Sequence, residues 1–310
     1  MLNEPDLQLN TALQLVAEAY GLDIQQMEFV PKGEVAWCYK LVDSREHAFL
    51  LRVTLGVATL SLANVDKLKD LDFVVLPIDN LVLEYEGYSL ALYEFVAGET
   101  MWEQMPDAAQ IEVMGRCFAL FHQTARRRGP FERQEKFSLD FAEDYHRYLE
   151  ILVGDPPVKS HAAVKLQKRL VPLLGFLKGE YEKAVIQKQD ILERDAPFVN
   201  CHGDPNPANI IVADEQVYLV DLEDLVYAPK EQDLLYFSDN AHFASFMQGY
   251  RDIEPQAEVD WELRVWYGRK WFLSEVTDYC QKILCCPHTE AEYAHYLQQM
   301  DEVLQDVGLL

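Results

Sequence analysis

Apolar residues recur at helical spacing over residues 7–20 and stop at Gly21, which predicts an opening helix. The pattern then turns to strand-like runs at 27–30, 35–42 and 48–53, separated by Pro31-Lys32-Gly33 and by Asp43-Ser44, residues that favour turns. A short helix is predicted between 60 and 71. Strands follow at 80–85 and 88–95, joined by the hairpin signal Glu86-Gly87. Beyond Gly98 the helical period returns, over 108–124, 141–153, 158–192, 261–284 and 290–307. Only two short strand-like runs, 209–212 and 216–220, interrupt it. The expected fold class is therefore α+β, with a small antiparallel β lobe over residues 1–97 and a larger, mainly helical lobe over 98–310. Ligand sites favour the cleft between two such lobes. No internal repeat or low-complexity tract is visible.

Composition narrows the class. Hydrophobic residues make up 49% of the 310 positions and charged residues 25%, so the chain can bury a sizeable core. Lysine plus arginine is 27 against 52 acids, a formal net charge of −25. Such a surface repels phosphate backbones, which argues against nucleic-acid partners and anionic membranes. It keeps the protein soluble and attracts cationic small molecules. No segment reaches the roughly 18–20 apolar residues of a membrane span, and the first residues lack the charged and apolar regions of a signal peptide. A cytoplasmic protein, monomeric or weakly dimeric, is expected. None of the six cysteines forms a Cys-x-x-Cys pair. Cys285-Cys286 lacks a second ligand pair and is read as two reduced thiols.

The strongest motif is Cys201-His202-Gly203-Asp204-Pro205-Asn206-Pro207-Ala208-Asn209, followed by an apolar run that ends at Asp221. It is a loop between apolar segments carrying two acids and an amide at fixed spacing. Asp204 and Asn209 stand at the D-x-x-x-x-N spacing of a kinase catalytic loop. Phosphoryl transfer needs hard oxygen ligands for Mg²⁺, and Asp221 with Asn209 supplies a carboxylate and an amide oxygen. It also needs an acceptor hydroxyl to be oriented, and Asp204 is suited to take its hydrogen bond and proton. His202 is assigned to packing and hydrogen bonding of the loop.

His-Gly-Asp-x-x-x-x-Asn with a later Asp resembles the signature of the aminoglycoside phosphotransferase and choline kinase-like family, which has the bilobal protein-kinase-like fold. Residues 116–122, ending in His122, look like the helix these proteins carry before the catalytic loop. Residues 92–98 look like their interlobe hinge. Gly33-Glu34-Val35-Ala36-Trp37-Cys38-Tyr39-Lys40 and Ala228-Pro229-Lys230-Glu231-Gln232-Asp233-Leu234 are similar to the spectinomycin phosphotransferase-like branch. The resemblance implies an ATP- and Mg²⁺-dependent kinase acting on a small-molecule acceptor. It implies Asp204 as catalytic base, Asn209 and Asp221 as metal ligands, and the Glu94 carbonyl and Val96 N–H as the adenine-binding edge. Asp233 would brace the catalytic loop.

Arg52 stands where such kinases usually place a phosphate-binding lysine, and its planar fork suits phosphate oxygens. The short helix after it offers no glutamate. Asp66 is its nearest acid. The loop 31–34 has one glycine and no Gly-x-Gly. Arg126-Arg127-Arg128 before Gly129-Pro130 reads as a helix end. Trp266, Trp271 and Phe272 read as core. Glu223 and Asp224, in an acidic stretch from Asp221 to Asp239, together with Glu275 and Asp278, three apart on one helix, are candidate partners for a cationic acceptor. The leading acceptor class is therefore the aminoglycosides and aminocyclitols, with a possible role in antibiotic resistance. A metabolite kinase for choline, a sugar or an amino alcohol is the alternative. A nucleotide-binding pseudokinase is a third reading, against which Asp204, Asn209 and Asp221 argue.

Overall fold

The computed structural model describes residues 7–30, 36–56, 60–237 and 242–309. The loop 31–34 and Asp239 lie outside the described residues. The chain forms two compact units, each built from two stretches of sequence: Met1–Gln134 with Phe198–Glu258, and Glu135–Pro197 with Val259–Leu310. Contacts thus divide the chain elsewhere than at 97/98. The five-stranded sheet shares its unit with the segments that carry the His-Gly-Asp motif.

The first unit opens with α1 (Leu9–Tyr20), then β1 (Ile24–Val30), β2 (Ala36–Asp43) and β3 (Ala48–Leu55). After α2 (Leu62–Asp66) come β4 (Pro77–Tyr85) and β5 (Tyr88–Glu94). Glu86 and Gly87 both have positive φ, 50° and 82°, as a two-residue hairpin turn of the mirror-image type requires. The strands pair antiparallel in the order β1-β2-β3-β5-β4. Side chains alternate across such a sheet. Tyr39, Leu41, Leu51, Val53, Leu90 and Leu92 therefore share one face and bury it with Ala12 and Val16 of α1. Their neighbours Cys38, Arg52, Ala91 and Tyr93 share the opposite face, in paired register.

The unit continues with β6 (Glu99–Thr100), α3 (Ala108–His122) and α4 (Thr124–Arg128). Asp107 caps α3 with a reciprocal Asp107–Gln110 box. Arg126-Arg127-Arg128 forms the last turn of α4 before Gly129, as expected of a helix end. The chain then enters the second unit through α5 (Ala142–Val153), α6 (His161–Leu170) and α7 (Leu174–Leu192). One helix was expected over 158–192. Pro172 lacks an N–H, and a short 3₁₀ turn at Val171–Leu173 separates two helices there.

Back in the first unit lie β7 (Phe198–Cys201), β8 (Ile210–Ala213), β9 (Gln216–Leu219), β10 (Val226–Pro229) and α8 (Phe243–Ile253). β6, β7, β10 and α8 add to what the pattern predicted. The pair β7–β10 brackets the motif loop and the segment after Asp221. The chain ends in the second unit with α9 (Trp261–Cys285) and α10 (Glu290–Asp306). Tyr145, Leu166, Leu273, Ile283 and Met300 are among its buried core. Trp266 is fully buried with its indole N–H on the Ala184 carbonyl, 3.0 Å away, and Phe272 is buried on the same helix. Trp271 packs against the same core. Among the described residues no helix is long and apolar enough to cross a membrane.

Helices α3 and α8 meet backbone to backbone. A Cβ on Gly115 would stand 2.0 Å from the Phe246 carbonyl oxygen, and one on Gly249 would stand 1.9 Å from that of Glu112. No side chain can yield there, because the obstacle is main chain. Gly249→Ala is expected to force the helices apart and cost about 1–3 kcal/mol, as overpacking does. A drop in the urea midpoint at unchanged m-value would show it. A midpoint equal to that of the parent would mean that the crossing is looser than described.

Candidate active site

The first unit brings Arg52, Asp204, Asn209, Asp221 and Glu223 together. Strand β7 ends at Cys201 and delivers His202-Gly203-Asp204 into a loop. Asp233, fully buried, holds that loop from behind. One of its carboxylate oxygens accepts the His202 N–H at 2.7 Å, and the other accepts the Gly203 N–H at 2.9 Å. His122 at the end of α3 places Nε2 3.0 Å from Asp233 and Nδ1 2.8 Å from the Tyr250 hydroxyl on α8. Cys201 lies close enough for His122, Cys201 and Asp233 to resemble a metal cluster. Both carboxylate oxygens already take backbone N–H groups, so the cluster is a hydrogen-bonded brace. The brace expected of Asp233 is therefore present.

Gly203 has φ +91°, and a Cβ there would lie 2.0 Å from the Asp224 carbonyl oxygen. Only glycine fits both the left-handed backbone and the close approach. The buried His202 ring sets Nε2 2.9 Å from the Val220 carbonyl, one residue before Asp221. That contact requires the proton on Nε2, since a carbonyl only accepts. His202 thus ties the motif loop to the strand end that bears Asp221.

Asp204 is half-buried. Its Oδ2 accepts Asn206 Nδ2 at 2.8 Å and Asn209 Nδ2 at 3.2 Å. Asn209 Nδ2 also donates to the Asp204 carbonyl at 2.9 Å. Asn206 in turn accepts the Ala208 N–H at 2.8 Å, which caps the 3₁₀ turn Pro207–Asn209. Burial pushes the Asp204 carboxyl above its ordinary pKa, with Asp224 and Asp221 adding to it and His202 and the Asn206 amide opposing it. The Val220 N–H donates to the Asn209 carbonyl at 3.0 Å, so Asn209 and Asp221 occupy neighbouring positions across the β8–β9 hairpin.

Asp221 follows β9 with a left-handed φ of 62°. Its side chain meets Arg52, whose Nη2 lies 3.2 Å from the carboxylate. Arg52 Nη1 is 2.5 Å from Glu223 Oε1. Burial works against the guanidinium charge, but Asp221 and Glu223 more than offset it, and the arginine pKa rises. Asp224 pairs with Arg133 at 3.1 Å. Of the acids considered for an acceptor, Glu223 and Asp224 are thus each set against an arginine. Glu275 and Asp278 lie on α9 in the second unit, where Asp278 pairs with Lys282 at 2.7 Å.

Glu94 ends β5, and 95–98 is irregular before β6. The Phe95 N–H donates to the Ala48 carbonyl at 3.1 Å. In an antiparallel ladder this makes Glu94 and Phe49 a non-hydrogen-bonded pair, so the Glu94 carbonyl points away from β3. A cavity of about 560 Å³ lies beside Phe95, Ala97 and Gly98 and is closed by Gln110, Val212 and Asp214. None of Arg52, Asp204, Asn209 and Asp221 lines it. The pairing of Arg52 with Glu223, the Asn206 contact to Asp204 and the His122–Tyr250 link were not read from the sequence. Of these, only the Asp-x-Glu spacing at 221–223 offered a signal.

Residues 61–267, more than half of the chain, match the family described as the phosphotransferase enzyme family. The chain belongs to that family. This phosphotransferase superposes on spectinomycin phosphotransferase, solved with ADP and spectinomycin, with a TM-score of 0.81 at 16% identity, over 96% of this chain and 95% of that one. An aminoglycoside phosphotransferase from Alicyclobacillus acidocaldarius gives a TM-score of 0.63 at 15% identity, over 100% and 98%. An ethanolamine kinase from Plasmodium vivax gives 0.55 at 12%, over 100% and 93%. At these identities the likeness establishes the fold, the protein-kinase-like α+β class that the motif implied. No curated protein sequence matches the phosphotransferase.

Replacing Asp233 by Ala is expected to leave the buried His202 N–H and the half-buried Gly203 N–H of the motif loop without their acceptor. Each such loss costs about 1–3 kcal/mol, so the variant should lose at least about 2 kcal/mol of stability in chemical denaturation. A neutral result would show that the loop is held by something else.

Proposed function

We propose that this phosphotransferase moves the γ-phosphoryl group of ATP, with Mg²⁺, to a hydroxyl of a cationic aminocyclitol or amino sugar. The observation that carries the reading is the convergence of Asp204, Asn209, Asp221 and Arg52 in one compact unit. The donor set suits a hard cation. Asn209 spends its amide nitrogen on Asp204, which leaves its amide oxygen to act as a donor to a cation, and Asp221 adds a carboxylate that is 38% exposed. Bound between them, Mg²⁺ would neutralise phosphate charge.

The remaining roles belong to the chain. Asp204 accepts the hydrogen bond of the acceptor hydroxyl and then its proton as the oxygen attacks the γ-phosphorus and the bond to the β–γ bridging oxygen breaks, releasing ADP. Burial raises the basicity of its carboxylate. Arg52 presents a fixed charge to phosphate oxygens. The Glu94 carbonyl and Val96 N–H take the adenine edge. In this reading residues 1–97 form the nucleotide lobe and 98–310 the catalytic and acceptor lobe, a functional division that cuts across the compact units. The net charge of −25 favours a cationic acceptor, and spectinomycin in the superposed phosphotransferase is such a molecule's class.

Asp204→Asn is expected to retain nucleotide affinity and lose roughly 10²–10⁴-fold in kcat, the usual contribution of a positioned base. Wild-type turnover by the variant would remove Asp204 from that role. Asp221→Ala should make ADP affinity, measured by calorimetry, independent of Mg²⁺. The acceptor is tested with spectinomycin, aminoglycosides, choline, ethanolamine and neutral sugars as substrates. A cationic acceptor should show a KM that rises with salt, because the Debye length is about 8 Å at physiological strength. Phosphorylation of neutral acceptors alone would overturn the acceptor class and leave the kinase reading standing. Nucleotide binding without turnover of any acceptor would favour a pseudokinase.

A further inference from the structure

We propose that Glu223 is the positioning residue for Arg52, and that it supplies from the loop after Asp221 the acid that the short helix lacks. The proposal rests on Arg52 being the phosphate-binding cation. Helix α2 is only Leu62–Asp66, and its acid Asp66 pairs with Lys69 at 2.9 Å. The helix is also fastened to the segment at 130–132. Ser61 Oγ donates to Glu132 at 2.5 Å, Asn64 Oδ1 accepts the Glu132 N–H at 3.1 Å, and Lys67 Nζ donates to the Pro130 carbonyl at 2.6 Å. Glu223 reaches Arg52 instead, from 171 positions along the chain.

Charge shows why two acids are needed. Arg52 now spans Asp221 and Glu223. Asp221 would be taken up by a divalent cation in the loaded site, and its charge would then no longer hold the guanidinium. An arginine held by Asp221 alone would then lose its only anchor beside the phosphates. With Glu223 in place, one carboxylate serves the metal and the other keeps Arg52 in position. Glu223 is itself fixed, because its turn is Leu222–Asp224, with Leu222 buried and Asp224 held by Arg133 and packed against Gly203. Tyr93 of β5 lines the same small pocket as Arg52 and Glu223.

The test is ADP affinity by calorimetry for the parent, Glu223→Gln, Arg52→Ala and the double variant, each with Mg²⁺ and with EDTA. Glu223→Gln keeps the size of the side chain and removes its charge. It is expected to weaken ADP about tenfold with Mg²⁺, the scale of one lost charge-assisted hydrogen bond, and less with EDTA, where Asp221 still holds Arg52. The double variant should bind no worse than Arg52→Ala, because Glu223 acts through Arg52. Three results overturn the proposal. Tighter ADP binding by Glu223→Gln would make Glu223 a mere repulsive charge near phosphate. A Mg²⁺-dependent loss that persists in the Arg52→Ala background would make it a metal ligand. Additive losses in the double variant would separate it from Arg52. Absence of ADP binding by the parent protein would instead fail the kinase reading itself. Equal denaturation midpoints across the variants confirm that binding, and not folding, is being read.

Discussion

A buried carboxylate holds the motif loop in shape. Asp233 receives two consecutive backbone N–H groups, those of His202 and Gly203, and it leans on His122. A peptide loop has no lattice of its own, so its amides must find acceptors or stay with water. Once those two amides are fixed, the chain leaves Gly203 in one direction only, with the Asp224 carbonyl filling the space where a side chain would sit. Asp204 then emerges against Asn206 and Asn209. His202 passes the same constraint on to Val220 and so to Asp221. The groups assigned to chemistry thus depend on one acid that touches none of the reactants in the proposed mechanism.

Much of this was legible in the chain, for a physical reason. Asp204, Asn209 and Asp221 are separated by a turn and a hairpin, both local structures whose spacing fixes geometry. The sheet was legible too, because the middle of one of its faces is apolar. Contacts between distant stretches were not. Arg52 and Glu223 are 171 positions apart, and His122 and Asp233 are 111 apart. Nothing in either neighbourhood encodes the other. The four-residue strands β7 and β10 are too short to show a period, and they gain their identity only by pairing with each other. Helix α8 did carry a signal, with Phe246, Met247 and Tyr250 at helical spacing.

The predicted division at 97/98 and the observed units answer different questions. The first follows from the change of period at Gly98 and from the expected roles of the two lobes. The second follows from packing. Strand β6 pairs with β8, and Gly98 lies so close to Val212 that a Cβ would stand 2.5 Å from its carbonyl oxygen. The sheet and the motif loop are therefore joined by main chain on one side and by Arg52 on the other.

The interleaving of the two units also sets an order of events during synthesis. The five-stranded sheet is complete once Glu94 has emerged, and it can close on α1 at once. The rest of its unit must wait, because β7 to α8 are not made until Glu258. At roughly 5–20 residues per second, that wait is on the order of ten seconds. Through it, α3 leaves the ribosome with the apolar side meant for α8 still uncovered, and the second unit stays open until the last residues arrive. Slower translation between Gln134 and Phe198 would lengthen the exposure of that apolar side.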